Sequence, residues 1–484
     1  MNRYGWIGLG IATVLLTIVP KYGYPFVEEG REPRPSPLVC LDCHRQRNIE
    51  TNEGVAAANA FCTDCHAHAD KSLRLAGTAR VKLNVPADLF TNDPHRFIAC
   101  VRCHTDVARS PHLSLIGSQC RSCHPVHGER QAHDPHLRVD CQACHFASSF
   151  IVLDRDLNRV RLSRFNDQAQ PVSLSDHRVA ATKDFSFCRK CHFSGNAVGA
   201  PGSVLPAKSF VCLACHPASL SLGHWMFVPA LLIFGLGVFS MVSFWFKGSV
   251  REEQLSLHDK VASGSDHIWQ TVFSRRVWDK ARIFLLDVAL QRRILQESVK
   301  RWSIHSLIYY AFLCRLILSL FALIVYNIVP GSSLALALID KNHWMVSFIY
   351  DFLGLCILLG IIFAAVQRYV IRPPHVLSAE QDNIALIIIG LLVLSGFVLE
   401  GARIWITQTP FDPAAFAFLG YGISRLLLFL PAAWQDAYGP LWYIHAGVWA
   451  VFIAYLPFGK LKHMFTTPLS LMLGSSEKKQ EAVH

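Results

Sequence analysis

The chain has 484 residues, 52% of them apolar, with a mean hydropathy of +0.29 and a formal net charge of +11. That length excludes one small domain and that apolar content excludes a wholly soluble chain, so a membrane portion is expected. The positive charge does not point to nucleic acid: eleven Lys and Arg residues fall between Lys247 and Arg301, between two apolar runs, where the positive-inside rule expects a cytoplasmic loop.

Residues 5–19 (GWIGLGIATVLLTIV) form a short apolar run behind Asn2 and Arg3, the shape of a secretory signal or an uncleaved signal anchor. The following PKYGYPFVEEG offers no small-x-small cleavage site, which favours an anchor over residues 1–24. Either form places the next segment outside the cytoplasm.

Residues 25–222 are polar, and their one regular feature is a repeated pentapeptide. Of sixteen cysteines in the chain, fourteen lie between Cys40 and Cys215, and all fourteen belong to Cys-x-x-Cys-His units. The units are Cys40-Cys43-His44, Cys62-Cys65-His66, Cys100-Cys103-His104, Cys120-Cys123-His124, Cys141-Cys144-His145, Cys188-Cys191-His192 and Cys212-Cys215-His216. Two thiols three positions apart can form thioethers to two haem vinyl groups, and the next imidazole then falls on the iron as proximal ligand. One such unit alone could be half a zinc site or a redox dithiol. Seven in one exported stretch, using every cysteine there, predict seven covalent c-type haems and no structural disulfide. Cys314 and Cys356 lie in apolar runs and are expected to behave as small hydrophobes.

The second axial position decides what such an iron does, because a bis-His iron carries electrons and an open one binds a substrate. Eight further histidines stand between residues 25 and 224: His68, His95, His112, His127, His133, His136, His177 and His224. Eight candidates for seven irons predict mostly bis-His coordination. His95 and His136 each stand five residues before a motif cysteine, a spacing that multihaem cytochromes commonly use for the distal ligand of a neighbouring haem. With so little apolar periodicity, the porphyrins are expected to serve as the core of this segment. Within the long interval from Cys141 to Cys188, FIVLDRDLNRVRLSRF reads as a hairpin turning at Asp156 to Asn158.

Apolar runs at 226–246, 306–329, 344–366, 384–399 and 441–458 predict five membrane-spanning helices in a 223–484 membrane domain. The fold class expected is therefore mostly α: an N-terminal anchor, a loop-rich multihaem domain with little regular structure, and a C-terminal five-helix transmembrane bundle. With the haem domain exported, the 247–304 loop and the C-terminus fall in the cytoplasm, and Lys460, Lys462, Lys478 and Lys479 agree with that. The spacing of Val277, Ala281, Phe284 and Val288 predicts an amphipathic helix on the inner leaflet. The expected location is the cytoplasmic membrane, multi-pass, with the haem domain on the periplasmic side.

Ionisable residues on apolar spans are functional candidates by default. Four are histidines: His305, His343, His445 and His463. The stretches RRVWDKARIFLLDVALQRRILQESVKRWSIHSLIYYAF and LWYIHAGVWAVFIAYLPFGKLKHMFTTPLSLML resemble the haem b membrane subunit of respiratory nitrate reductase. They are more similar still to its relatives in heterodisulfide-reductase-like and sulfite-reduction-associated membrane complexes. The resemblance covers roughly residues 225–472. It implies that His305 and His463 ligate one haem b near the cytoplasmic face. For a second haem b the family pattern is met at His445 but has Arg315 at the partner position, so one haem b is expected. His445 stays open as a ligand of an outer haem with an unmatched partner such as His343, or as part of a quinone site.

Lys341, His343, Asp351, Glu400 and Arg403 map to the outer half and are expected either to receive quinol and its protons or to be ordinary interfacial and helix-pairing charges. The leading expectation is an electron-transfer protein of quinol-dehydrogenase type, passing electrons between the membrane quinone pool and an exported redox partner. The alternatives are a multihaem reductase of a small nitrogen or sulfur compound, and, from the resemblance, a membrane subunit that relays electrons to a cytoplasmic iron-sulfur partner seated on the basic loop.

Overall fold

The computed structural model describes residues 51–68, 95–104, 134–146, 151–163, 185–247, 276–372, 380–430 and 433–471, the strands at 72–74 and 80–82, and a few single positions between them. The 1–24 anchor and the candidates Cys40, Cys43, His44, His112, His127, His133 and His177 lie outside the described residues. The chain divides into two compact units, Met1–Cys62 with Phe97–Ser118, and Thr63–Arg96 with Gln119–His484.

Among the described residues of the haem-motif region, regular structure is short. The exception is helix α1 (Asn52–His66), which carries the second motif. Its run of alanines favours helix, and Thr51 Oγ1 accepts the Gly54 N–H at 3.1 Å to cap its start. In the first unit, Asn59 of α1 accepts the Cys100 N–H at 2.8 Å and donates to Ile98 O at 3.3 Å, which seats the third motif. In the second unit, strand β1 (Ser72–Arg74) pairs antiparallel with β2 (Arg80–Lys82). The sequence suggested a hairpin after Cys141, and there β3 (Ile151–Asp154) pairs antiparallel with β4 (Arg159–Leu162). Asp154 Oδ1 accepts the Asp156 and Leu157 N–H groups, and Asn158 takes the positive φ of 48° that such a turn needs.

From Phe227 on, the described residues are largely helical. Helices α2 (Phe227–Lys247), α3 (Val299–Ile328), α4 (Trp344–Ala365) and α5 (Glu380–Ile406) are each long and apolar enough to cross a bilayer. A short helix, α6 (Phe418–Leu427), then packs along α5, and α7 (Trp434–Tyr455) follows it. A fifth span exists if α7 and Lys460–Leu471 count as one helix bent by 69°. The bend has a local cause: Pro457 cannot donate a helical N–H, and a side chain at Gly459 would strike the Tyr455 ring. Leu232, Leu236, Phe239 and Phe244 of α2 lie open on the outside of the bundle. A wall of that kind facing water would forgo about 25 cal/mol per Å2, so it faces hydrocarbon, and the chain is a multi-pass membrane protein.

The bundle core is Phe227, Ala311, Ile357, Ile389, Leu392, Phe397, Ala446, Trp449 and Phe452 with their neighbours. Close helix approach depends on small residues: a side chain on Gly401 of α5 would meet Ile423 of α6 at 2.5 Å, and one on Gly354 of α4 would meet Phe397 at 2.5 Å. The helices extend past the apolar runs. α3 begins at Val299 because Ser298 caps it by accepting the Arg301 N–H, leaving Arg301 and Ser303 in its first turns. In the 247–304 segment, Arg276–Ile283 continues as a π-helix over Phe284–Ala289, and Asp287 is buried between Arg292 (2.9 Å) and Arg293 (3.2 Å).

Candidate haem sites and the arm end of the bundle

The motif units that the structure describes fold as single helical turns. The histidine N–H donates to the carbonyl of the first cysteine in four of them: His104 to Cys100 (2.9 Å), His124 to Cys120 (2.9 Å), His192 to Cys188 (3.0 Å) and His216 to Cys212 (3.1 Å). The second motif lies within α1 and the fifth forms the turn Cys141–His145. Residues i, i+3 and i+4 share one face of such a turn, so both sulfurs and the imidazole come to one side, as a porphyrin with two vinyl groups requires. No disulfide forms among the described cysteines. Burial and then the neighbouring Cys144 push the Cys191 thiol up to about 11, and burial pushes that of Cys215 to about 11. Among the described residues no three His, Cys, Asp or Glu side chains converge as a metal site, whereas a haem iron asks the protein for only two axial groups.

Consecutive motifs lie side by side. In the first unit the Cys100 thiol meets Cys62. In the second, Cys144 neighbours Cys188 and Cys191, and Lys190 Nζ donates to Cys144 O at 3.4 Å and to Phe146 O.

Three pairs of histidines face each other. His95 and His124 have ring centroids 5.8 Å apart and Nε2 atoms 3.5 Å apart. The His136 and His192 centroids are 6.1 Å apart, and those of His305 and His463 are 6.2 Å apart. A metal–imidazole bond of about 2 Å on each side puts the two axial nitrogens about 4 Å and the two rings about 6 Å apart, so all three spacings suit one iron. In the two arm pairs, the histidine before one motif faces the proximal histidine of the next.

The second ring nitrogen is fixed as well. Nδ1 of His192 lies 3.0 Å from Pro201 O, Nδ1 of His305 3.0 Å from Gln291 Oε1, and Nδ1 of His463 2.7 Å from Lys460 O. A ligand histidine commonly gives its other N–H to an oxygen in this way, which leaves Nε2 for the metal. Gln291, held at a φ of 53°, had no signal in the sequence: only the fold brings it to His305 from fourteen residues upstream. The bend at Pro457 and Gly459 returns His463 to α3. Lys460 also pairs with Asp382 at 2.6 Å, and Arg368 joins the same carboxylate at 3.2 Å, clasping this end of the bundle.

The opposite end, nearer the haem arm, holds the other ionisable candidates. Asp351 on α4 is 1% exposed, and its Oδ2 accepts the Leu419 N–H at 2.6 Å and the Gly420 N–H at 3.3 Å at the start of α6. Glu400 on α5 faces it, its side chain lying against Gly420. Arg403 reaches Glu400 at 3.5 Å and donates to Asn342 Oδ1 at 2.7 Å. Asp351, Glu400 and Arg403 thus form one buried network. Lys341 stands within electrostatic reach of His445, whereas His343 faces Asp340 and Arg138, which are themselves paired at 2.9 Å. His445 Nδ1 lies 2.9 Å from Ser395 Oγ on α5. His68 is exposed, and the His224 ring lies against Trp225 and Tyr443. On the far side of α6 a cavity of about 640 Å3 is lined by Trp405, Tyr421, Arg425, Leu428, Trp434 and Asp436, among others. Its rim at Leu428 continues into exposed Phe429 and Leu430.

Over 200 residues, 39% of this chain, the sequence is 28% identical to a subunit of the dihydromethanophenazine:CoB–CoM heterodisulfide reductase of Methanosarcina thermophila. The corresponding protein of Methanosarcina acetivorans is 27% identical over 191 residues. In both cases the alignment takes in 64% of the relative's length, so the chain spans just under two thirds of these relatives. An EtfAB:quinone oxidoreductase of Syntrophomonas wolfei is 25% identical over 264 residues, 51% of this chain and 33% of that protein. No family model and no solved structure matches the chain. What the chain is similar to is therefore a set of redox proteins, matched over about half its length or less.

Proposed function

We propose that the chain is a membrane electron-transfer protein of quinol-dehydrogenase type, with seven covalent c-type haems on an exported arm and one haem b in the bundle. The observation that carries this reading is the set of three facing histidine pairs, His95 with His124, His136 with His192 and His305 with His463, at ring separations of 5.8 to 6.2 Å. When bound, the haems supply one-electron carriers. The residues of this chain hold them, fix the unused ring nitrogens and keep neighbouring motifs close. A quinol releases two protons as it gives up two electrons, and the network of Asp351, Glu400 and Arg403, with Lys341 and His343 nearby, offers carboxylates to take them. The cavity across α6 offers room for an aromatic head group, with a lipid-facing rim at Leu428 to Leu430. The similarity to an EtfAB:quinone oxidoreductase supports a quinone as the membrane partner.

The test is quinol-driven reduction of the c haems in purified full-length protein, with the b to c ratio read by pyridine haemochrome. We expect seven c to one b and full reduction of the c bands. Replacing Lys341 and Asp351 together should slow that reduction at least tenfold with haem content unchanged. An unchanged rate would discard the quinol role of this network, and a chain without covalent haem would discard the whole reading.

A second reading has its own support. The heterodisulfide reductase relative is by its name one subunit of a larger enzyme, and in this chain the basic 247–304 segment adjoins His305 through Gln291. A cytoplasmic iron-sulfur protein seated there would exchange electrons with the inner haem b. Its co-purification with the full chain decides this.

A further inference from the structure

The last motif has surroundings different from those of the other described motifs. Val211, Cys212, Ala214 and Cys215 pack against the buried apolar cluster of the membrane bundle, to which Phe227, Ala311, Phe397, Ala446 and Trp449 belong. Trp449 Nε1 donates to Val211 O at 3.1 Å, so the motif is held against α7 itself. His445 lies four residues before Trp449, on the same stripe of that helix. Its Nδ1 and Cε1 are turned to α5, at Ser395 (2.9 Å) and at the site of a Gly396 side chain (3.4 Å). Nδ1 is thus the nitrogen engaged by α5, and Nε2 is the one a metal would take.

Arg315 connects the two. Its guanidinium stands within electrostatic reach of both the Cys215 sulfur and the His445 ring. One of its nitrogens donates to Tyr350 O, and its buried Nε has no hydrogen-bond partner. A half-buried guanidinium whose buried Nε lacks a partner, beside the thiol of a haem motif, suits a propionate carboxylate. His216 has its own Nδ1 against Pro217 O at 3.4 Å.

We propose that the haem carried by Cys212 and Cys215 sits in the mouth of the membrane bundle, with His216 and His445 as its two axial imidazoles and Arg315 beside its propionates. The inference rests on the haem reading above and gives His445 to the seventh c-type haem instead of to a second haem b. It also makes this haem the junction between bundle and arm, ligated from both.

The test uses the full-length protein carrying His445→Ala or His445→Met, with haem content by pyridine haemochrome and spin state by low-temperature electron paramagnetic resonance. His445→Ala should keep all seven c haems and the b haem while about one c iron in seven turns from low to high spin, and added imidazole should reverse it. His445→Met should keep that iron low-spin and raise its potential, because a thioether favours the reduced state. His224→Ala, whose ring is packed between Trp225 and Tyr443, should change neither. The proposal is overturned if His445→Ala lowers haem b with every c iron still low-spin, if spectra do not change, or if His224→Ala gives the high-spin iron instead. A peptide spanning Cys212 to His216 without the mass of haem would overturn the haem reading, a result distinct from a haem present but indifferent to His445.

Discussion

The haem-motif arm and the membrane bundle are built on opposite principles. In the arm, the buried apolar side chains among the described residues are Val55, Ala99, Ala143, Val198 and Leu213, and the regular structure described there beyond α1 comes as short helical turns and strands of three or four residues. The bundle buries Phe227, Ile357, Phe397, Trp449, Phe452 and many others in one continuous cluster. The described part of the arm buries little apolar surface of its own and needs another source of cohesion, which the haems proposed above would supply. The difference predicts that cofactor loss and packing loss act on separate halves.

The largest effect expected from that difference is on the arm. Expression in cells unable to attach haem covalently should leave residues 25–222 open to limited proteolysis, while the bundle keeps its helical circular dichroism; equal protection of both halves would break the contrast. Next comes the inner haem b. His305→Ala or His463→Ala should remove it altogether with all seven c haems retained, so that the haemochrome ratio moves from seven-to-one to seven-to-none. A smaller effect belongs to the network at the arm end: Asp351→Ala leaves the Leu419 and Gly420 N–H groups without an acceptor inside the bundle, at a cost of about 1–3 kcal/mol, read as a lower thermal midpoint. Trp449→Phe removes one donor to Val211 and should cost about 1 kcal/mol while loosening the last motif, read as faster proteolysis near Val211. Arg138→Ala breaks the ion pair with Asp340, whose side chains are 29% and 20% exposed, and should cost less than about 1 kcal/mol.

Much of the site is already present in the motif spacing. Cysteines three apart followed by histidine fold as one turn whatever surrounds them, because the helical period alone puts the three side chains on one face. Hydropathy likewise marks the spans, since about 20 apolar residues are needed to cross the hydrocarbon. Local rules are weaker at helix ends. α3 starts seven residues before its apolar run, since the cap at Ser298 and an interfacial position tolerate Arg301 there. The short helix α6 carries no signal of a span, and it is held by Gly401, Gly420 and the buried carboxylate of Asp351, contacts between residues far apart in the chain.

By itself, then, the sequence determined the Cys-x-x-Cys-His units, the division into a polar arm and an apolar bundle, and the histidines on offer, because each follows from spacing or composition within a few residues. Tertiary structure alone decided which histidines face each other, that Gln291 steadies His305, that Asp351 caps α6, and that the last motif packs into the bundle against Trp449. The reason is physical: facing histidines and the hydrogen bonds around them depend on distances of a few ångströms between segments far apart in the chain, 158 positions for His305 and His463 and 238 for Val211 and Trp449, and no local periodicity encodes such a distance.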